Sequence, residues 1–264
     1  MANVEGYKEP CPVPVPKPEE PFCLKAVVVC SQYDDFLRYT LPENKFLFNE
    51  IVVVTDHEDK ATKRVCEFYH VKAILTDALN TRKGQFCKGA GIQEGLEALG
   101  IKHAKENEWF LHLDADMWLP PQTRRLLEEA KLDKHFLYGC DRFIVKGQQA
   151  WHEFREKEIL HLQHEDYTWV HTDAFPIGTR VCAYGGYVPL GFFQLWNPAV
   201  SGVKDYPTEH TTAARSDILF ATQWTRAERH SIPEIIGYHL ESNDSDKAVN
   251  WSGRKSARFK ITEE

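Results

Sequence analysis

Four short apolar runs set the pattern of the first half of the chain, and polar stretches with helical spacing separate them. The runs have the length of buried strands and lie at 24–30, 51–56, 71–75 and 109–113. The sequence between them predicts helices at 35–41, ending near Pro42, at 59–70 and at 88–101. Strands that alternate with helices predict an α/β domain with a mainly parallel central sheet and helices on both faces.

After Asp116 the alternation becomes less regular. The expected elements are a helix at 124–131, one or two strands at 135–145, a helical or irregular region at 148–175, a strand at 187–196, a helix at 216–227, a strand at 235–240 and a polar tail at 242–260. We expect these elements to complete the same domain rather than to form an independent one.

Residues 1–23 are predicted to be an arm outside the folded domain. Six prolines lie between residues 9 and 21, and such a segment forms neither a helix nor a central strand. The sequence shows neither the apolar segment of a secretory signal nor the ~20 apolar residues of a membrane helix, so we expect a cytoplasmic protein. The seven scattered cysteines are typical of reduced thiols rather than of a disulfide framework or a zinc site.

The charge of the chain argues against a protein that binds polyanions over its whole surface. It has 32 basic and 39 acidic residues, a net charge of −7. A contact with nucleic acid would therefore need a local basic patch. The tail between Asn250 and Lys260 is a candidate, because it holds basic residues and no acidic ones.

Two aspartates, Asp114 and Asp116, follow the fourth apolar run with one alanine between them. At this spacing the side chains of an extended chain point to the same side, and two carboxylates so close repel each other unless a cation intervenes. A hard divalent metal prefers oxygen ligands and keeps positions open for substrate phosphates. We interpret the pair as metal ligands at the carboxyl edge of the sheet, where α/β proteins bind ligands. The alternative is a strand end at which both side chains face water.

Four segments, in this order, resemble the nucleotide-sugar glycosyltransferases of the type A fold. AVVVCSQYDDFLRYTLP (26–42) resembles their first strand and donor-base loop, and FCKGAGIQEGL (86–96) the glycine-bearing helix start beside the donor. HLDAD (112–116) resembles their metal-binding D-x-D motif. YHLESNDSDKAVNWSGR (238–254) resembles their carboxyl-terminal segment with a metal-binding histidine and a diphosphate-contacting loop. The chain is similar to family 2 members, among them small soluble bacterial and phage enzymes.

The resemblance implies one type A domain over 24–264, with a nucleotide-binding half at 24–116 and an acceptor-binding half and tail at 117–264. It implies transfer of a sugar from a nucleotide sugar, with a uridine diphosphate (UDP) sugar as the expected donor, to a hydroxyl acceptor. A glycan, a lipid-linked saccharide, a protein side chain and a modified base in DNA all remain open as acceptors. The oligomeric state is open as well.

The expected cofactor is Mn²⁺ or Mg²⁺, which would stabilise the charge that builds up on the diphosphate leaving group. Asp116 is expected to ligate the metal directly, and Asp114 to contact the ribose hydroxyls or a metal-bound water. His239 is the expected third ligand, since oxygen ligands with one imidazole suit these metals better than zinc. The alternative for His239 is a strand-end histidine bonded to the backbone.

The loop after the first strand and the end of the second strand are expected to contact the nucleoside. Ser31 belongs to this loop, and Tyr33 and Asp35 are expected to lie beside the base and the ribose. Asp56 closes the second strand, where a ribose or base contact is equally plausible. Both aspartates have a structural alternative as helix N-caps.

Two further segments are expected to contact the diphosphate. Lys88 and Gly91 open a helix whose backbone N–H groups favour a phosphate, unless this is a plain helix start. Trp251 and Arg254 offer a ring plane and an arginine fork for a diphosphate, unless they belong to a disordered basic tail.

An inverting transfer needs a base that takes the proton of the acceptor hydroxyl. Asp217 is the first candidate for this base, and Glu153 and Asp173 are the next ones. The structural alternative for Asp217 is an N-cap or first-turn acid of the helix predicted there. The sequence does not decide between inversion and retention.

Three other functions compete with the glycosyltransferase. A haloacid-dehalogenase-like phosphohydrolase also has a strand followed by D-x-D, but at its first strand and normally with a glycine where this chain has Met117. A nucleotidyltransferase would carry a glycine-rich, arginine-bearing loop after the first strand, which SQYDDF (31–36) is not. A non-catalytic sugar- or nucleotide-binding module on the same fold is the third alternative.

Overall fold

The computed structural model describes residues 20–80, 86–162, 187–209, 213–243 and 253–259. Its first half alternates strand and helix, as the apolar pattern predicts. The elements are β1 (Cys23–Val29), α1 (Asp34–Asn44), β2 (Glu50–Asp56), α2 (Lys60–Phe68), β3 (Lys72–Thr76), α3 (Lys88–Ala98) and β4 (Glu108–Asp114). No helix in these ranges is long and apolar enough to cross a bilayer.

The second half adds four strands and four helices within the described ranges. They are β5 (Met117–Trp118), α4 (Thr123–Glu129), β6 (Leu137–Lys146), α5 (Gly147–Leu162), β7 (Phe193–Trp196), α6 (Pro198–Ser201), α7 (Ala213–Ala221) and β8 (Arg229–Glu241). The predicted arm up to Glu19 and the predicted region at 163–175 lie outside the described residues.

The eight described strands form one sheet in the order β3-β2-β1-β4-β7-β6-β8-β5. The four strands of the first half pair in parallel, and β8 is parallel to β6. Three pairs of described strands are antiparallel: β7 with β4, β7 with β6, and β5 with β8. The prediction of an α/β fold with a mainly parallel sheet is confirmed.

The core lies on both faces of the sheet because the side chains of its strands alternate. In β1, Leu24, Ala26 and Val28 pack toward α1 and α2, whereas Val27 and Val29 pack toward α3 and α7. The apolar runs of β1, β2 and β4 are therefore largely buried on both sides, as expected for parallel strands between two helical layers, whereas β3 at the edge of the sheet is more exposed. This arrangement fixes the carboxyl ends of β1, β2 and β4 side by side at one edge.

The predicted end of the first helix near Pro42 is wrong, since α1 continues to Asn44 with Pro42 inside it. Proline lacks an N–H, so the helical bond that the carbonyl of Arg38 would accept from it is missing. The hydroxyl of Tyr69 donates to this carbonyl at 3.4 Å. Tyr69, the residue that follows α2, thus supplies a hydrogen-bond donor that the sequence around Pro42 does not show.

Three boundaries of the second half also differ from the prediction. Strand β7 is shorter than 187–196 because the chain turns just before Phe193, whose N–H donates to the carbonyl of Leu190. Strand β8 is longer than 235–240, with Pro233 inside it at a register shift in its pairing with β6. Helix α7 covers Ala213–Ala221 instead of 216–227, and a separate 3-10 turn follows at Arg226–Glu228.

The end of the chain is packed against α1 where it is described. The ring of Phe259 packs against Phe36 in a tilted arrangement at a centroid distance of 4.9 Å, and both side chains are buried. Asp35 accepts the backbone N–H of Phe259 and binds Arg254 through both carboxylate oxygens. Residues 253–259 of the predicted polar tail are therefore part of the folded domain.

Candidate active site

The D-x-D motif lies at the carboxyl edge of the parallel strands. Asp114 is the last residue of β4 and pairs with Val29 at the end of β1. The chain turns at Ala115 and Asp116, and Met117 then pairs with His239 of the antiparallel strand β8. This short pairing, which sequence reasoning missed, brings the histidine beside the motif.

Asp116 and His239 form a close ion pair. The distance from His239 Nε2 to Asp116 Oδ2 is 3.2 Å, and Glu241 lies 3.2 Å from the other ring nitrogen. Burial opposes the ionisation of Asp116, but the charge of His239 and its hydrogen bond lower the pKa of Asp116. Burial likewise opposes protonation of His239, but Asp116 and Glu241 raise its pKa to about 9. Both groups are therefore charged at neutral pH.

Asp114 turns to a different partner. Its Oδ1 lies 2.5 Å from Nζ of Lys88, the buried first residue of α3. Burial raises the pKa of Asp114 to about 6, with the nearby carboxylates adding to the rise and the Lys88 cation opposing it. Burial lowers the pKa of Lys88, but its carboxylate neighbours outweigh this and raise it, so that it stays a cation.

The residues present fit a divalent metal at Asp116 and His239. Asp116 Oδ1 is buried and has no hydrogen-bond partner among the described residues, which suits an atom that ligates a cation. Within the described ranges, no three His, Cys, Asp or Glu side chains lie together in an arrangement that could hold a metal ion. Asp114 is bound to Lys88 and does not complete such a group with Asp116 and His239. Ions such as Mg²⁺ commonly take one or two carboxylates and fill further positions with phosphates and water.

Asp217 lies in the second turn of α7, which begins at Ala213, and so it is not an N-cap. Its Oδ1 is 3.0 Å from the buried hydroxyl of Tyr206, and its Oδ2 is 3.9 Å from Lys88 Nζ. A Cβ atom on Gly191 would lie 2.1 Å from Asp217 Oδ2, so any other residue at 191 would displace this carboxylate. The acid is thus held in one position by its neighbours.

These groups line one cleft of about 670 Å³. Among the residues predicted to be functional, the cleft brings together Ser31, Tyr33, Lys88, Asp114, Asp116, Asp217, His239 and Arg254. It lies at the carboxyl ends of β1 and β4, where an α/β sheet is expected to bind a ligand.

Other predicted residues do not line this cleft. Gly91 is buried within α3, where a Cβ atom would meet Leu79 at 2.4 Å, so it provides close packing rather than a phosphate contact. Asp56 accepts the hydroxyl of Ser31 at 2.8 Å and lines an adjacent cavity of about 610 Å³. Glu153 is exposed on α5, outside the described lining of the cleft. Trp251 and Asp173 lie outside the described residues.

The structure gives Asp35 and Arg254 a supporting position. Asp35 is 5% exposed and is not among the described residues that line the cleft. The guanidinium of Arg254 donates to both Asp35 oxygens, to the carbonyl of Gln32 and to carbonyls at Ser256 and Ala257. These bonds occupy the whole guanidinium edge, so in this structure its fork is not directed at a ligand. It lies instead over the Tyr33 ring at 4.9 Å and holds that wall of the cleft.

Sequence reasoning missed three residues that shape the site. Arg142 and Glu241 line the cleft, and Tyr206 lies beneath it against Asp217. Arg142 had a detectable signal, since Asp141 and Arg142 interrupt an apolar strand. Tyr206 lies in a stretch without regular secondary structure, and nothing local indicates its partner.

Comparisons with known proteins give a distant likeness to solved structures alone. No protein-family model matches the sequence, and no curated protein is significantly similar to it. One similar structure is glucosyl-3-phosphoglycerate synthase from Mycobacterium tuberculosis in complex with Mn²⁺, UDP-glucose and phosphoglyceric acid. It is 10% identical to this chain with a TM-score of 0.47, and the match covers 88% of this chain and 76% of the synthase. The structure of the same synthase with Mn²⁺ and UDP-glucose is 10% identical with a TM-score of 0.47, and the match covers 83% of this chain and 70% of the synthase.

A structure described as a mycobacterial protein is 11% identical with a TM-score of 0.44. The match covers 84% of this chain and 66% of that one, just under two thirds of its length. At such identities and scores the likeness concerns the course of the chain and assigns neither family nor substrate.

Proposed function

We propose that this protein is a metal-dependent glycosyltransferase of the type A fold, which moves a sugar from a nucleotide sugar to a hydroxyl acceptor. One observation carries the proposal: Asp116, His239 and Asp217 line the same cleft at the carboxyl ends of parallel strands, and Tyr206 lies beneath it against Asp217. The cleft thus contains a candidate cation site and a separate carboxylate that suits a base. UDP-sugars are the first donors to test, on the strength of the sequence resemblance.

Asp116 and His239 would hold Mn²⁺ or Mg²⁺, and the unpartnered Asp116 Oδ1 is the atom that such a cation would satisfy. When bound, the metal supplies positive charge to a diphosphate leaving group without proton transfer. His239 is protonated in the metal-free site, so it would release its proton to become a ligand. Asp114 lies beside this pair and is positioned by Lys88.

Asp217 is proposed to accept the proton of the acceptor hydroxyl as the new glycosidic bond forms. Tyr206 fixes one of its oxygens, and Lys88 lies 3.9 Å from the other. Lys88 remains protonated between Asp114 and Asp217, so a positive charge lies beside the proposed base. A base held in this way is ready before the substrate arrives, as general-base catalysis requires.

The experiment that tests the proposal is a thermal-shift panel of nucleotide sugars with and without Mn²⁺, followed by a turnover assay. A UDP-sugar at 100 times its Kd stabilises the folded state by about 2.7 kcal/mol, or roughly 5–10 °C for a chain of this size. We expect this shift only when metal and nucleotide are both present. Turnover is then measured as UDP release with glycan and modified-DNA acceptors.

The matched variants are Asp116→Ala and Asp77→Ala. Asp116 is in the proposed metal site, whereas the side chain of Asp77 is 94% exposed. We expect Asp116→Ala to abolish both the metal-dependent shift and turnover, and Asp77→Ala to keep both. A wild-type protein that no nucleotide sugar stabilises in the presence of Mn²⁺ would refute the transferase. Hydrolysis of p-nitrophenyl phosphate would favour the phosphohydrolase instead, and binding without turnover the non-catalytic module.

A further inference from the structure

Four cationic side chains line the cleft, and three of them are matched by carboxylates. Lys88 binds Asp114, and His239 lies between Asp116 and Glu241. Arg254 binds Asp35 with its Nη1 atom 2.5 Å from Asp35 Oδ1. These three charges are therefore engaged within the protein. The fourth cation is Arg142, on β6.

The side chain of Arg142 makes no hydrogen bond or ion pair with any residue in the described ranges, although its backbone pairs with Gly237 of β8. Its guanidinium centre lies 4.4 Å from the ring centroid of Phe192, which is itself buried. Stacking on a ring covers one face of the guanidinium and leaves the N–H groups on its edge available to a ligand. Such a group is rare in a cleft, since arginine in a partly buried position normally finds an anion.

The backbone of β6 is irregular immediately before this residue. Gly139 pairs with Ser231, but Asp141 pairs with Ile236, so the register with β8 shifts between Gly139 and Asp141. Irregularities of this kind redirect the side chains that follow them and recur beside active sites. Arg142 is close enough to the ion pair for its charge to act on both partners: it adds to the lowering of the pKa of Asp116 and opposes part of the rise in the pKa of His239.

We propose that Arg142 binds an oxyanion, a phosphate or carboxylate group, of a substrate in the cleft. The planar fork matches such a group through two parallel hydrogen bonds, and the ring of Phe192 holds the fork in place. This deepens the proposed function and rests on it for the nature of the substrate. The oxyanion has two sources, the diphosphate of the donor or an acidic group of the acceptor.

The variants Arg142→Met and Arg125→Met test the proposal. Methionine keeps an unbranched stem over Phe192 and removes the charge. Arg125 provides the control, because its side chain is 60% exposed on α4 and pairs only with Glu129 among the described residues. Calorimetric titrations measure the binding of UDP in the presence of Mn²⁺ and the binding of uridine, which carries no phosphate. Inorganic phosphate is titrated twice, once into the free protein and once into protein saturated with UDP and Mn²⁺.

If the donor supplies the oxyanion, Arg142→Met weakens the binding of UDP at least tenfold and leaves uridine binding unchanged. If the acceptor supplies it, UDP binding is kept and the binding of phosphate to the UDP-saturated protein is lost. Arg125→Met matches the wild type in every titration. Arg142→Lys is expected to lie between wild type and Arg142→Met, since it keeps the charge without the fork.

The outcomes separate this inference from the proposed function. Arg142→Met that binds UDP and phosphate as the wild type does would overturn the oxyanion site and leave the transferase standing. A wild type that binds phosphate through Arg142 but no UDP would refute the UDP-dependent transferase and support the oxyanion site. A wild type that binds neither probe would overturn both.

Discussion

Replacement of Lys88 by methionine is the most direct test of the electrostatics of this cleft. Methionine keeps the length and the apolar stem of the side chain but removes the charge. Asp114 and Asp217 would then share the cleft with no cation in place of Lys88, whose Nζ lies 2.5 Å and 3.9 Å from them. We expect a clear loss of stability in the metal-free protein.

The magnitude follows from the burial of the pair. Removal of one partner of a fully buried ion pair costs ~3–5 kcal/mol. The side chain of Asp114 is 26% exposed and has a raised pKa, so water contact and protonation relieve part of the penalty. We therefore expect about 3 kcal/mol, which corresponds to a fall in Tm of roughly 6–12 °C.

The loss is also expected to depend on pH with a definite sign. In Lys88→Met, Asp114 loses the neighbour that opposed the rise of its pKa, so its folded-state pKa lies further above the unfolded value. An acid with a raised pKa destabilises the fold increasingly as the pH rises from the unfolded pKa to the folded one. Lys88→Met should therefore lose more stability at about pH 8 than at about pH 5.

Urea denaturation of the wild type, Lys88→Met, Asp114→Asn and the double variant gives the coupling between the two residues. We expect the double variant to be more stable than Lys88→Met alone, because it no longer contains the stranded carboxylate of Asp114. A Lys88→Met protein within 1 kcal/mol of the wild type at about pH 8, or strictly additive losses in the cycle, would refute this account of the cleft.

Two further predictions concern the supports of the site. Tyr206→Phe keeps the ring that stacks on Phe220 but removes the hydroxyl that donates to Asp217 or Gln194. We expect a loss of about 1–3 kcal/mol in urea denaturation and a lower kcat with an unchanged affinity for UDP. An unchanged kcat would contradict the role given to Asp217. Asp35→Asn removes the carboxylate partner of the buried Arg254 charge. We expect the free energy of unfolding to fall by about 3 kcal/mol in the same assay. A fall below about 1 kcal/mol would show that the backbone carbonyls around Arg254 are enough to hold its charge.

The elements of the first half could be predicted because each is specified by its own local pattern. The apolar runs of β1, β2 and β4 are continuous, as buried parallel strands require. Boundaries set by distant contacts could not be predicted in the same way. Helix α1 passes Pro42 with the help of Tyr69, and β5 has only two residues, too few for any pattern.

The site shows the same division. Asp114 and Asp116 were detectable because an abrupt pair of like charges ended an apolar run. The position of His239 beside Asp116 depends on the short contact of β5 with β8, which no local pattern in the sequence shows. Arg254 was expected to reach the diphosphate, yet Asp35 occupies its fork, and a sequence does not show which of several nearby acids will bind an arginine.

The packing of residues 253–259 has a practical consequence for work with this protein. Arg254 and Ser256 line both cavities, and Phe259 covers the ring of Phe36 behind them. A protease that trims the chain before Gly253 would open one side of the cleft and expose the ring of Phe36 at the same time. Affinity tags are therefore better fused at the amino-terminal end, and intact mass should be verified before weak ligand binding is interpreted.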